Sequence, residues 1–257
     1  MQVLRRLLEA VDEGDTCVLV TVAGVTGSAP RKAGTRLVVS ARGVRRGTVG
    51  GGEVEAAALA NAAEMLAGRD AGRTLEIATN CGGVVTLMLE KFSPQRRLLV
   101  VGAGHVGKAL ARAGAHAGYR VTLAAPQRPE PLPDAATVEC LATSDPTLLD
   151  AWEGPERTQV VVATGDADAD GAWAVAALLR PFAGIGVVGS RNKAAAIRHT
   201  AAAAGVPPDR VHTLRCPVGL DLGAVTPEEI AVSIMAELIR LDRTGEVPEG
   251  WRRAPRG

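Results

Sequence analysis

The sequence predicts an α/β protein with a C-terminal parallel sheet and a smaller N-terminal α+β domain. Three observations predict it. Residues 98–124 read as strand, glycine turn, helix and strand. Beyond residue 137, short apolar runs alternate with alanine-rich helical segments, the pattern of strands buried on both faces of a parallel sheet. The first 93 residues lack that alternation and give helix and strand in the order α-β-β-β-α-β-β.

The stretch from Leu98 organises the rest. Leu98-Leu99-Val100-Val101 is a strand, and Gly102-Ala103-Gly104-His105-Val106-Gly107 is a G-x-G-x-x-G turn. A helix follows to Ala117, and Arg120 to Ala124 is the second strand. In this context the motif reads as a Rossmann-like dinucleotide fingerprint. Gly102 gives a tight exit from the strand, Gly104 leaves room for a ligand, and Gly107 lets the helix pack on the sheet. The helix N-terminus then offers free N–H groups and positive dipole charge to a phosphate. A tight glycine turn without a nucleotide is the alternative reading.

Taken in order, Gln2 to Val11 is a short amphipathic helix with Leu4, Leu7, Leu8 and Val11 on one face. Thr16 to Ala23 is a strand with Val18, Val20 and Val22 on one side, and Cys17 among the core residues of the other. Gly24 to Gly34 reads as a loop, Thr35 to Ser40 and Val44 to Thr48 as a hairpin. Gly50-Gly51-Gly52 leads into a helix from Glu53 to Leu66. Thr74 to Ala78 and Val84 to Glu90 are strands around Asn80-Cys81-Gly82-Gly83.

The boundary falls near residues 92–95, giving domains 1–93 and 94–242 and a flexible, polar tail 243–257. In the second domain, Thr137 to Leu141, Gln159 to Ala163 and Gly184 to Val188 are strands. Pro146 opens a short helix, and Gly171 to Leu179 and Lys193 to Ala204 are longer ones. Thr226-Pro227-Glu228-Glu229 is a capping box opening a helix through Ile230, Ile234, Leu238 and Leu241.

Composition narrows the function. Net charge is +1, so no basic field calls for nucleic acid or a membrane surface. Aromatics are confined to Phe92, Phe182, Tyr119, Trp152, Trp173 and Trp251, too few for base-stacking platforms. No apolar run approaches the ~20 residues that span a bilayer, and Leu4 to Val11 is too short and charged for a signal peptide. The expectation is a cytoplasmic protein. Cys17, Cys81, Cys140 and Cys216 form no C-x-x-C, so neither a disulfide framework nor a metal site is expected. Cys81, in a glycine turn, is the candidate working thiol; a small side chain in a tight bend is the alternative. Gly51 and Gly52 can cradle an anion or form a crowded turn, and Glu53 there would repel a phosphate. Arg31, Lys32 and Arg36 are a solvated face or a phosphate clamp beside Ser28.

These segments together resemble the xanthine dehydrogenase accessory factor family, also called XdhC/CoxI-like, along nearly the whole chain. The resemblance rests on Gly27-Ser28-Ala29-Pro30-Arg31, Gly47-Thr48-Val49-Gly50-Gly51-Gly52 with Val54-Glu55-Ala56, and Cys81-Gly82-Gly83. It continues through Val101 to Gly107, Gly189-Ser190-Arg191-Asn192-Lys193, and Cys216 to Ala224 running into Thr226 to Ile234. It implies a family-specific N-terminal domain, a Rossmann domain and commonly a homodimer. It also implies a chaperone that holds molybdenum cofactor, as molybdopterin or its dinucleotide form. Such a chaperone assists sulfuration with a cysteine desulfurase and hands the cofactor to a molybdenum hydroxylase apoenzyme.

The departures mark a divergent member. Glu53 stands where the family usually has cysteine. After the second Rossmann strand, Ala124-Ala125-Pro126-Gln127-Arg128 lacks the acid that would accept a ribose 2′-OH, while Arg128 suits a 2′-phosphate. After Val162-Ala163-Thr164 the family often has histidine, and this chain has Gly165-Asp166-Ala167.

The expected site therefore has a phosphate or pyrophosphate over Gly102, Gly104 and Gly107, with His105, Arg128, Thr164 and Ser190 as further cofactor-binding candidates. The pterin dithiolene is expected toward Ser28, Arg31 and Cys81; Gly51 and Gly52 are further cofactor-binding candidates, and Cys81 and Glu53 the chemically active ones. The alternative is an oxidoreductase that binds NADP in the same turn.

Overall fold

The computed structural model describes residues 1–251 except 29, 30, 81, 131, 133 and 136. The chain forms two compact units, Met1–Gln95 and Arg96–Gly257.

The first unit opens with α1 (Gln2–Asp12), β1 (Cys17–Thr26), β2 (Arg36–Ser40) and β3 (Arg45–Gly47). It closes with α2 (Glu53–Ala67), β4 (Gly72–Ala78) and β5 (Val84–Phe92). The strands form one antiparallel sheet in the order β3-β2-β1-β5-β4. Period-two alternation sorts β1 onto two cores. Val18, Val20 and Val22 pack with Val54, Ala58, Ala62 and Met65 of α2. Cys17 and Leu19 pack with Leu7 and Ala10 of α1. Burial first, and then the charge of Asp15, pushes the Cys17 thiol up, so it serves as plain core. β1 runs to Thr26 rather than stopping at Ala23. A bulge between Val22 and Gly24 restores its pairing with β5, so the loop after it is shorter than the sequence suggests.

The second unit contains β6 (Arg97–Val101), α3 (His105–His116), β7 (Arg120–Ala125), β8 (Glu139–Ala142) and β9 (Thr158–Val162). Then come α4 (Ala167–Leu178), β10 (Gly184–Val187), α5 (Arg191–Ala203), α6 (Pro208–His212) and α7 (Pro227–Thr244). All five strands are parallel, in the order β10-β9-β6-β7-β8. This is the Rossmann arrangement. The chain leaves β6 toward β7 and β8 on one side and returns through β9 to β10 on the other, which puts the switch point between β6 and β9. Trp173, Ala174 and Leu178 of α4 and Ala194 and Ile197 of α5 cover one face. Ala109 and Leu110 of α3 and Ile234, Met235 and Leu238 of α7 cover the other. Residues 215–218 add to the open edge beside β10, where the Arg215 N–H donates to the Ile185 carbonyl (3.0 Å) and its carbonyl accepts from Val187 N (2.9 Å).

Elements of the second unit differ from the sequence reading as well. α4 begins at Ala167 rather than Gly171, because the Asp166 carboxylate caps it by accepting from Ala169 N at 2.8 Å. The segment opened by Pro146 is a 3₁₀ helix, Pro146–Ala151. Part of the stretch read as a tail is built in: α7 continues to Thr244, Val247 is buried, and the Asp221 N–H donates to the Trp251 carbonyl. Among the described residues no helix is long and apolar enough to cross a membrane.

The end of α7 is tied beneath the sheet by Asp242. Its carboxylate accepts from Gln159 Nε2 (2.9 Å) and from the Tyr119 hydroxyl, and it pairs with Arg96 (3.3 Å). Burial first, and then the Asp242 hydrogen bond, holds the Tyr119 hydroxyl well above its ordinary value near 10. The folded state thus binds this proton more tightly than the unfolded state. Its contribution to stability is whole below pH ~10 and is lost as the pH climbs further. Tyr119 is the chain's one tyrosine, so phenolate absorbance reports it directly. Ionisation should come at higher pH in native than in denatured protein; coincident curves would refute the buried hydrogen bond.

Candidate functional site

The site is built first from backbone. Gly102, at φ +113°, lies so close to the loop after β9 that a Cβ would sit 2.3 Å from the Ala163 carbonyl oxygen. A Cβ on Gly107 would sit 1.8 Å from the Gly102 carbonyl oxygen, so the first turn of α3 seats directly on the strand exit. Gly104 is the opposite: a Cβ there would meet nothing within 4 Å. It is the N-cap of α3, supplies no side-chain cap, and is exposed together with His105. Two glycines close the turn and the third leaves space over uncapped amides, an arrangement that suits a phosphate or pyrophosphate.

Across the switch point, the loop after β9 is held by a buried acid that sequence reasoning missed. Asp170 is fully buried; its Oδ1 accepts from Thr164 N (3.0 Å) and Thr164 Oγ1 (2.6 Å). Its Oδ2 pairs with Lys193 Nζ at 2.5 Å, placing an ammonium behind the Thr164 loop. Asp170 shares one helix face with Trp173, Ala174, Ala177 and Leu178, all buried. A carboxylate inside an apolar i, i+3, i+4, i+7 stripe is the signal that could have found it.

Ser190 caps α5 by accepting from Lys193 N (3.3 Å), and its carbonyl accepts from Cys216 Sγ at 3.5 Å. Burial pushes the Cys216 thiol up to about 11, against the opposing pull of Lys193 and Arg198. Cys216 is therefore a thiol, not a thiolate, at neutral pH. Arg128 is exposed just beyond the end of β7, where a Rossmann fold reads the ribose.

In the first unit, the structure gathers Ser28, Glu53 and Asn80. The Glu53 carboxylate accepts from Asn80 N (2.7 Å) and Asn80 Nδ2 (2.6 Å), anchoring the turn that begins at Asn80. Thr79 Oγ1 donates toward the Ser28 carbonyl (3.0 Å) and accepts from Gly83 N (3.1 Å). Cys81 itself lies outside the described residues. Gly51 and Gly52 are exposed at the start of α2, beside the first-turn acids Glu53 and Glu55, and Arg31 is exposed on the loop after β1. Among the described residues no His, Cys, Asp and Glu cluster is fit to hold a metal ion.

The family described as the XdhC Rossmann domain matches residues 98–238, and the XdhC and CoxI family matches residues 10–77. The chain belongs to the XdhC and CoxI family. Within it, the chain is 30% identical over 229 residues to YqeB, an uncharacterized protein of Escherichia coli (strain K12). That match covers 84% of this chain and 41% of YqeB. It is 39% identical over 107 residues to the molybdenum cofactor insertion chaperone PaoD of the same organism, covering 38% of this chain and 34% of PaoD. The chain thus spans less than half the length of the curated relatives it matches. A crystal structure titled as a xanthine dehydrogenase from Bacillus halodurans matches with a TM-score of 0.52 at 20% identity. It covers 96% of this chain and 98% of that one, a likeness of fold.

Proposed function

We propose that this protein is an accessory factor for a molybdenum hydroxylase of the xanthine or carbon monoxide dehydrogenase type. It binds molybdenum cofactor, assists its sulfuration and delivers it to the apoenzyme. The observation that carries this reading is the open space over Gly104 at the uncapped start of α3. Family membership and the likeness to the chaperone PaoD support it.

The cofactor supplies the molybdenum centre of the client enzyme. The residues of this chain hold it: the amides following Gly104 receive its phosphate, and His105, Thr164 and Ser190 border that end of the sheet. Cys81, which follows Asn80 in the sequence, is proposed as the thiol that serves sulfuration by a cysteine desulfurase partner. A homodimer acting in the cytoplasm belongs to the same proposal.

A second reading, an NADP-dependent oxidoreductase, draws on exposed Arg128 beyond β7 and the lack of an acid among residues 124–128. One set of measurements separates the two. Mass spectrometry of the purified protein should find a pterin, and Gly104→Val should abolish its retention and the thermal shift it causes. Cys81→Ser should lower the retained cofactor without unfolding the protein, and Arg128→Ala should leave retention intact. Calorimetry should show weak or absent nicotinamide binding. Micromolar NADP affinity that falls roughly ten- to a hundred-fold in Arg128→Ala, with NAD unaffected, would sink the chaperone in favour of the enzyme.

A further inference from the structure

In the first unit, α1 and the edge strand β3 wall a groove of about 460 Å³. Its sides carry four guanidinium groups, from Arg5, Arg6, Arg45 and Arg46, against one carboxylate, Glu9. Both walls follow from local periods. Gln2, Arg5, Arg6 and Glu9 fall at i, i+3, i+4 and i+7 and so share one face of α1. Leu7 and Ala10 turn away from it, onto Val38 of β2. Val38 pairs with Arg46, and residues paired across an antiparallel ladder leave the sheet on one face, so Arg46 emerges beside α1. There its Nη2 donates to Gln2 Oε1 at 2.9 Å.

The single carboxylate of the groove is already committed. Arg6 Nη1 stands 3.5 Å from Glu9 Oε2 and 3.5 Å from Glu13 Oε1. Neither Asp12 nor Glu13 lines the groove. Arg46 is held by the neutral Gln2 amide. Among the described residues neither Arg5 nor Arg45 makes an ion pair, and both are exposed. Positive charge is therefore in excess on the helix wall and on the strand wall alike. The groove is also elongated. From Gln2 to Glu9 the helix rises about 10 Å at ~1.5 Å per residue. The three residues of β3 extend about 10 Å at ~3.3 Å each.

We propose that this groove docks an acidic, extended segment of a partner protein, its carboxylates meeting Arg5 on one wall and Arg45 on the other. Guanidinium forks pair with carboxylates through two N–H groups. Charges spread along two walls suit a run of carboxylates better than one compact anion, and an extended segment of three residues has the length of β3. That strand has a neighbour, β2, on one side only, and a sheet edge is where an extended segment can lie alongside. No aromatic side chain lines the groove, which leaves a single-stranded nucleic acid without a stacking surface.

The test is fluorescence anisotropy of a labelled oligoglutamate peptide titrated with the full chain. Saturable binding is expected, and it should weaken as salt is raised, because the charges are exposed. Arg5→Gln and Arg45→Gln should each weaken it about two- to fivefold, the effect of losing one exposed ion pair. Arg69→Gln removes the same charge from an exposed position outside the groove and should leave binding unchanged. In amide NMR spectra the peptide should shift residues 44–46 and leave the Gly102–Gly107 turn unmoved. The proposal is overturned by binding that fails to saturate, that survives loss of both groove arginines, or that Arg69→Gln lowers equally. It is equally overturned if an oligothymidylate of the same charge binds as tightly through the same arginines, which would assign the groove to nucleic acid.

Discussion

Asp170→Ala is expected to destabilise the second unit by about 3 kcal/mol or more, within the range for breaking a buried ion pair. The carboxylate has no exposure to solvent and receives three donors, two from Thr164 and one from Lys193. Alanine leaves the Thr164 N–H without an acceptor and the Lys193 ammonium without its counter-charge. The lysine is about one-fifth exposed and can swing toward water, which keeps the loss near the low end. All three tryptophans, Trp152, Trp173 and Trp251, lie in this unit, so fluorescence during urea unfolding follows it alone. Lys193→Met added to Asp170→Ala should recover part of the loss, since the double variant has no unpaired charge. A single-variant loss under about 1 kcal/mol would show that Asp170 does not hold the loop.

The second large effect is a reversal of sign at Gly107, set against the open position at Gly104. By helix propensity alone, Gly107→Ala should stabilise α3 by about 1 kcal/mol. The structure reverses this, because the new methyl would sit 1.8 Å from the Gly102 carbonyl oxygen. That obstacle is backbone and cannot rotate away. Overpacking of this kind costs about 3 kcal/mol or more, and α3 must lift off the strand exit. Gly104→Ala points into open space and should change stability by less than about 0.5 kcal/mol. Tryptophan-monitored unfolding of the two variants side by side decides it. Equal stabilities would mean that the turn is looser than the geometry described above.

The local rules read well from sequence where one element carries the whole signal. The strand–turn–helix–strand run at Leu98, the two-sided alternation of β1 and the Thr226–Glu229 capping box each depend on residues close in the chain, and each is formed. What escaped are groups that acquire meaning only through distant partners. Asp170 is one of three acids with Asp166 and Asp168, and only its helical phase separates it from them. Glu237 likewise follows Ile234 by three residues on the buried face of α7, yet its partner Arg215 is 22 residues away. The clasp of Glu53 on Asn80 spans 27 residues and has no periodic signature. α6 is a single short turn, and the bulge in β1 inserts one residue that shifts the register after Val22. For the candidate site, the form of the glycine turn and the place of Arg128 just beyond β7 were legible because the motif fixes their order along the chain. The Lys193 ammonium behind the Thr164 loop was not, since α4 and α5 bring it to Asp170 only in the folded unit.

The Asp242 clasp also bears on how the chain is made. Synthesis runs from the N-terminal side, and the first unit has its last strand once Phe92 has been added. The second unit must wait much longer. Its first strand is flanked by Arg96, whose partner Asp242 comes 146 residues later, and Tyr119 waits 123 residues for the same carboxylate. Until α7 is complete, the sheet face of Leu98, Val100 and Val121 lacks Ile234 and Leu238, and Arg215 lacks Glu237. A growing polypeptide stalled short of α7 would carry a finished first unit beside an open apolar face. Closure by a late helix across such long loops makes the Rossmann unit the slower of the two to mature on the ribosome.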